Sequence, residues 1–190
     1  MIPFDKLGWA FHRFGAMIYN DTIRHSLCDF LQPLPQNASI LDIGSGTGIL
    51  CRFAAECREG LAFDAIDPAE GMMRYAPSFV TCHQGRAEAL PFEDAQFDGV
   101  MMGETLHHIA DVDRAFTEIR RVLKPGGGLF IYDFDPQKMM GKLIQKGEML
   151  LGEPGNFFSP DALSTMLQDV GFGTVVFQEG YKYTLHATLR

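Results

Sequence analysis

Apolar residues recur along this chain in two periods. Tyr19, Ile23, Leu27, Phe30 and Leu31 fall on one helical face, and Pro33 and Pro35 end that helix. Short apolar runs bounded by turn residues follow at 39–44, 61–67, 79–84, 97–102 and 129–134, and each reads as a strand. Ile49, Leu50, Phe53 and Ala54 predict a short helix after the first strand, and residues 68–76 a second. Val112, Phe116, Ile119, Val122 and Leu123 predict a longer one, closed by Pro125 and Gly126. Ser159 and Pro160 form an N-cap and first-turn pair for a helix that carries Leu163, Met166, Leu167 and Val170 up to Gly171.

The pattern then changes. Residues 174–178 and 181–190 are separated by Glu179-Gly180, a hairpin-like turn. In the second run Tyr181, Tyr183, Leu185, Ala187 and Leu189 alternate with Lys182, Thr184, His186, Thr188 and Arg190, which predicts one buried face. The order is therefore five βα-type strands, one more helix and an antiparallel pair. Two segments lie outside this scaffold. Residues 1–15 carry Phe4, Leu7, Trp9, Phe11 and Phe14. Residues 136–158 carry Met139, Met140, Leu143, Ile144, Leu150 and Leu151, with Lys138, Lys142 and Lys146 on other faces, and predict an amphipathic helix.

At 190 residues, one domain is expected. A net charge of −8 without a basic run argues against a nucleic-acid partner, because neutralising phosphates requires clustered Lys and Arg. No apolar stretch has the length of a membrane span. The N-terminus has no signal-type pattern, so a cytoplasmic protein is expected. Cys28, Cys51, Cys57 and Cys82 make neither a C-x-x-C pair nor a metal-ligand pattern; they are expected to be buried, reduced thiols, and no metal is expected.

The chemistry concentrates at Leu41-Asp42-Ile43-Gly44-Ser45-Gly46-Thr47-Gly48-Ile49-Leu50. A strand runs into a glycine-rich turn that opens a helix, so backbone can approach a ligand and N–H groups point at it. The spacing is G-x-G-x-G. A dinucleotide fingerprint wants its third glycine where this chain has Ile49, which moves the reading away from NAD.

Three further segments follow in order: Ile66-Asp67-Pro68; Ala87-Glu88-Ala89-Leu90-Pro91-Phe92 through Phe97-Asp98; and Leu106-His107-His108-Ile109 with Val122-Leu123-Lys124-Pro125-Gly126-Gly127. With these, the chain resembles the class I S-adenosylmethionine-dependent methyltransferases, in particular the small-molecule branch of quinone and malonyl-carrier methylating enzymes. The match covers residues 37–134 well and the rest by architecture. The resemblance implies a Rossmann-like three-layer α/β sandwich, with a seven-stranded, mostly parallel sheet whose last strand is antiparallel. It also implies a division of one 1–190 domain into an N-terminal cover and first helix (1–36), a cofactor-binding core (37–134), a lid insertion (135–158) and a C-terminal helix with antiparallel strands (159–190).

The same resemblance implies S-adenosylmethionine as cofactor, with S-adenosylhomocysteine as product, and a small-molecule or lipid-like acceptor. Asp42 would attract the methionyl ammonium. Gly44, Ser45, Gly46, Thr47 and Gly48 would pass under the cofactor, and Asp67 would accept its ribose hydroxyls, with Pro68 and Met72 beside them. Arg86, Ala87 and Glu88 match the segment beside the adenine. The position of Arg86 is commonly Asp in the family, and arginine cannot accept a hydrogen bond, so the adenine amino group would be read by backbone or Glu88. Met102 and Gly103 would line the methionyl end, and Glu104 would hold the substrate or stand as a solvated loop charge. His107 and His108 are the general-base candidates, since imidazole titrates near neutrality; in the family this segment is often structural. No Asn-Pro-Pro-aromatic motif follows the fourth strand, which argues against adenine-N6 and glutamine amide methylation. Two alternatives stand beside this reading: a non-catalytic cofactor-binding or interaction domain, and a NAD-dependent oxidoreductase. The acceptor atom and the oligomeric state are left open.

Overall fold

A computed structural model describes residues 8, 9, 12–15 and 19–190. In chain order the elements are α1 (Asp21–Leu31), β1 (Ser39–Ile43), α2 (Ile49–Cys57), β2 (Ala62–Asp67), α3 (Glu70–Met73), β3 (Val80–Gln84), β4 (Phe97–Gly103), a 3-10 turn (Leu106–His108), α4 (Val112–Val122), β5 (Leu123–Phe134), α5 (Met139–Leu150), α6 (Pro160–Asp169), β6 (Phe172–Glu179) and β7 (Lys182–Leu189). The strands form one sheet in the order β3-β2-β1-β4-β5-β7-β6. All neighbouring pairs are parallel except β5–β7 and β6–β7, so β7 alone runs against the rest. This is the α/β sandwich, with its antiparallel last strand, that the motifs imply.

The period-2 alternation of the central strands divides the core into two layers. Ile40, Met101, Phe130 and Tyr132 pack against α1 and α2 through Leu27, Phe30, Leu31, Phe53 and Ala54. Leu41, Val100, Met102, Leu129 and Ile131 pack against α4 and α6 through Phe116, Ile119, Leu163 and Leu167. Helix starts follow the expected capping chemistry. Asn20 accepts from the Ile23 N–H at 3.0 Å, Asp111 from Arg114 at 3.0 Å and Ser159 from Ala162 at 3.3 Å.

Several expectations are corrected. The helix expected to run through Leu123 and be closed by Pro125 and Gly126 ends at Val122 instead. β5 starts at Leu123, and its register with β4 jumps from Phe97–Leu123 to Gly99–Gly128, a bulge that absorbs the proline and glycines. The second short helix shrinks to Glu70–Met73. β7 does not bury one face only. It lies between β5 and β6, and α1 covers its other side, where the Ser26 hydroxyl meets Thr184 at 2.7 Å and His186 at 2.9 Å.

The cysteines also depart from expectation. Cys28 of α1 and Cys57 at the end of α2 form a disulfide with a Cα–Cα distance of 5.1 Å; Cys51 is a buried thiol and Cys82 an exposed one. The two half-cystines are 29 positions apart in sequence, so only the packing of α1 on α2 brings them together.

The amphipathic helix forms at Met139–Leu150, but its inward stripe is not the apolar one expected. Gly141 is buried and Ile144, Gln145 and Glu148 are half-buried, while Met139 and Leu150 are 82% and 87% exposed. Of the N-terminal apolar residues, Phe4, Leu7 and Phe11 lie outside the described residues, and Trp9 and Phe14 are exposed. No helix among the described residues is long and apolar enough to cross a membrane.

Candidate active site

The strand order reverses between β1 and β4, and ligands in open α/β sheets bind outside the strand ends at such a switch point. There the C-terminal ends of β1, β2, β4 and β5 surround a cavity of about 290 Å³, close to the lower end of ordinary ligand pockets, about 300 Å³.

At one end of the cavity lies the glycine turn. Gly44, Gly46 and Gly48 have φ of +65°, +53° and +71°, the left-handed region where a side chain is strained. The Gly44 N–H donates to the Ile66 carbonyl at 2.8 Å, fastening the turn to β2. A Cβ on Gly44 would overlap the Thr105 side chain. Asp67 ends β2 and clamps the turn from the far side: its carboxylate accepts from the Gly46 N–H at 2.8 Å and from the Ala69 N–H at 2.7 Å. Gly48 differs from its neighbours. It starts α2 and does not line the cavity; its missing Cβ makes room for Ala76 and Pro77.

Asp42 is 1% exposed, and one of its oxygens lines up with Cys51 Sγ at 3.3 Å. The other, Oδ1, has no hydrogen-bond partner. Burial pushes its carboxyl up to about 7, against the opposing pull of the Cys51 contact. The Ser45 hydroxyl, also on the cavity wall, has no hydrogen-bond partner. Pro68, Met72, Arg86, Ala87 and Glu88 line the same end. Part of the Glu88 carboxylate is committed elsewhere, accepting from the Ala110 N–H at 3.2 Å at the approach to α4.

Gly103 and Glu104 line the middle of the cavity, but Met102 does not. The alternation of β4 turns Met102 into the core layer under α4, where it is fully buried. Glu104 is not a solvated loop charge. It sits at φ +53°, its Oε1 is buried, and burial pushes its carboxyl up to about 7 while the Tyr132 hydroxyl pulls the other way.

The far end holds both histidines. His107 is 1% exposed; its Nδ1 is 2.7 Å from Asp133 Oδ1, its Nε2 is 3.4 Å from Glu148 Oε2, and its ring stacks on Phe157 at a centroid distance of 4.3 Å. Burial alone would lower its pKa, but Asp133 and Glu148 outweigh that and raise it to about 10. His108 Nδ1 is 3.3 Å from Glu153 Oε2, and burial together with the adjacent His107 lowers its pKa. Asn156 ties the segment after α5 to the 3-10 turn, donating from its backbone to the His107 carbonyl at 3.2 Å and from its side chain to the Ile109 carbonyl at 2.7 Å.

The sequence reading missed Tyr19, Thr105, Asp133, Glu148 and Glu153. One signal was available for Asp133: an acid inside the apolar run 129–134, at the end of a central strand. Nothing local marked the others.

The methyltransferase-domain family profile matches residues 41–131. A demethylmenaquinone methyltransferase from Lactiplantibacillus plantarum is 30% identical over 92% of this chain and 88% of that protein. The chain belongs to the S-adenosylmethionine-dependent methyltransferases. A malonyl-[acyl-carrier protein] O-methyltransferase from Geobacter sulfurreducens is 38% identical over 67% of this chain and 52% of that one. The crystal structure of a methyltransferase of this type from Thermotoga maritima superposes with a TM-score of 0.72 at 25% identity, covering 97% of this chain and 94% of that chain. This methyltransferase chain spans only about a third to a half of the length of several curated relatives that it matches.

Proposed function

We propose that this chain transfers the methyl group of S-adenosylmethionine to a small or lipid-like acceptor. The observation that carries the proposal is continuity: one cavity runs from the glycine turn, past Asp67 and Glu104, to the histidine pair. The cofactor fits the donors at the turn. The partnerless Asp42 oxygen suits an ammonium, and the positive-φ glycines leave a cradle that side chains would close. Asp42 would hold the methionyl ammonium. A carboxylate accepts about four hydrogen bonds, so Asp67 would hold ribose hydroxyls while it clamps the turn. Met72 and Ala87 would pack on the adenine. When bound, S-adenosylmethionine supplies an electrophilic methyl group on a sulfonium.

The chain's own contribution is positioning and exclusion of water. Ile109 and Phe134 give the far end apolar walls; residues 135–158 would cover it as a lid, and 1–36 would add an N-terminal cover and the first helix to the same single domain. His108, kept neutral by burial and by its neighbour, would take a proton from the acceptor. His107, with a carboxylate at each ring nitrogen, would position it. Quinones and a carrier-bound malonyl group are the acceptors of the relatives, and compounds of both kinds belong in the first screen.

S-adenosylhomocysteine is expected to raise the melting temperature, since a ligand that binds only the folded state stabilises it by mass action. Transfer of a labelled methyl group to one screened acceptor completes the test. No thermal shift at millimolar ligand, with a clear shift from NADH, would overturn the reading. Binding without transfer to any acceptor would leave the non-catalytic alternative. We further propose a cytoplasmic location, in which Cys28 and Cys57 would be kept reduced although the fold brings them together as a pair; a free-thiol count of four on protein taken directly from cells is expected, and a count of two would overturn this location.

A further inference from the structure

The far end of the cavity holds more ligating groups than taking one proton requires. Asp133 at the end of β5, His107 and His108 on the 3-10 turn, Glu148 on α5 and Glu153 beyond it converge from three separate parts of the chain. The hydrogen-bonding logic of His107 is informative. Nδ1 lies 2.7 Å from Asp133 Oδ1, so a neutral imidazole carries its proton there and turns the Nε2 lone pair away from Asp133. Facing that lone pair is a second acceptor, Glu148 Oε2, at 3.4 Å and out of line for a hydrogen bond. A neutral His107 would leave these two acceptors opposed, so the pair favours a cation between them, either a proton on Nε2 or a metal ion in its place. His108 also has a carboxylate beside it, with Glu153 Oε2 3.3 Å from its Nδ1.

We propose that His107, His108 and Glu148 bind one divalent transition-metal ion of the Zn²⁺ type, with Asp133 fixing His107 from behind. One ligand atom from each lies within 4.8 Å of the others, so a point exists within about 2.8 Å of all three, against ~2.0–2.2 Å for bonds from zinc to His nitrogen or carboxylate oxygen. The remaining contraction is under ~1 Å for each ligand. Two imidazoles and one carboxylate favour Zn²⁺, Fe²⁺, Co²⁺ or Ni²⁺ over Mg²⁺ or Ca²⁺. Three protein ligands with one open position is also the composition of catalytic rather than structural zinc sites. A carboxylate on the non-ligating nitrogen of a metal-binding histidine is the usual outer support, and Asp133 occupies that place.

Two consequences follow for this chain. All three ligands line the cavity, so the open position faces the acceptor chamber. There an oxygen or sulfur atom of the acceptor would complete the shell and release its proton to solvent as coordination lowers its pKa, with His108 acting as ligand instead of base; this step rests on the methyl-transfer reading, whereas the metal site does not. The ion would also join Glu148 to the 3-10 turn, fastening over the cavity a helix whose inward contacts are few.

The test is a titration of the chelator-stripped full chain with Co²⁺, read by its visible absorption bands, and with Zn²⁺ in competition with a chromogenic chelator. One equivalent bound at micromolar or tighter affinity is expected. Asp133→Asn should weaken binding about 10- to 100-fold, as loss of an outer-shell partner does. His108→Gln should abolish the absorption bands. Glu148→Gln sits on a mostly solvated helix, and with its fold checked by circular dichroism it should weaken binding at least tenfold. Absence of the bands at millimolar Co²⁺, or wild-type affinity in both Glu148→Gln and His108→Gln, overturns the proposal and leaves an Asp133–His107–Glu148 imidazolium triad in its place. S-adenosylhomocysteine binding measured alongside separates the two readings: a chain that binds it and no Co²⁺ loses only the metal site, and a chain that binds Co²⁺ but not S-adenosylhomocysteine loses only the methyl-transfer reading.

Discussion

The two ends of the cavity are built on different principles. At the glycine turn the working parts are backbone: positive-φ residues, N–H groups and two acids placed at strand ends within one βαβ unit, 25 residues apart in sequence. At the histidine pair the working parts are side chains gathered from β5, the 3-10 turn, α5 and the segment behind it, spread over residues 104–157. The first end uses local geometry to approach a ligand. The second uses tertiary convergence to hold opposite charges in a largely buried place. The first should therefore fail steeply when a dihedral is disturbed, and the second should fail by degrees as partners are removed.

The sharpest way to break this contrast is Gly44→Ala. Its φ of +65° and the Thr105 side chain in the path of a Cβ should together destabilise the fold by ~1–3 kcal/mol or more and remove detectable S-adenosylhomocysteine binding. Denaturant unfolding and calorimetry check it; a stable variant with parental affinity would show that the turn does not set the cofactor end.

Asp67→Ala is next. Losing charge-assisted hydrogen bonds of about 1.5–3 kcal/mol corresponds to a drop of roughly 10- to 150-fold in cofactor affinity. Because the clamp on Gly46 and Ala69 goes too, the melting temperature should also fall. Parental affinity with a lower melting temperature would make Asp67 a structural clamp alone.

Acid dependence gives a smaller and more diagnostic effect. The Asp42 carboxyl is raised from 3.8 to about 7 in the folded chain. Between about pH 4 and 7 the folded state therefore keeps a proton that the unfolded state has released, so this group's contribution to stability falls as pH rises and levels off above 7. An ammonium ligand needs the ionised form, so the thermal shift from S-adenosylhomocysteine should be larger at pH 8 than at pH 6. Asp42→Asn should flatten that difference, weaken binding, and leave the unliganded protein at least as stable as the parent at pH 8. A pH-independent shift in the parent would remove Asp42 from the cofactor's partners.

The smallest effect is expected on α5. Leu150→Gln lies on the exposed side of the helix and should change stability by no more than ~0.5 kcal/mol. If the helix covers the acceptor chamber from its inward stripe alone, turnover should change little as well. A large loss of activity with a lipid-like acceptor would instead show that the outer apolar side works too.

Much of this molecule was legible before folding because its signals are local. Alternation marked the strands, three- and four-residue spacing marked α1, α4 and α6, and Ser159-Pro160 marked a helix start within a residue. The G-x-G-x-G turn with Asp67 one unit later pointed to one end of the cavity, since glycine dihedrals and strand ends are properties of a short stretch. The sequence also reached too far there. Met102 was assigned to the cavity although one step of pleat turns it into the core, and Gly48 was read as a contact when it is a packing gap beneath Pro77.

What only tertiary structure decided is everything that depends on distant segments meeting. The histidines were found as residue types, but not their company. Asp133, Glu148 and Glu153 reach them through a strand crossover and a helix whose inward face, Gly141, Ile144, Gln145 and Glu148, cuts across the apolar pattern. The same is true of Cys28 with Cys57, and of Thr184 buried beneath α1. A periodic pattern reports which face of an element turns inward. It carries no information on which other element will be waiting there, and the charge state of a buried histidine or acid is set by that neighbour.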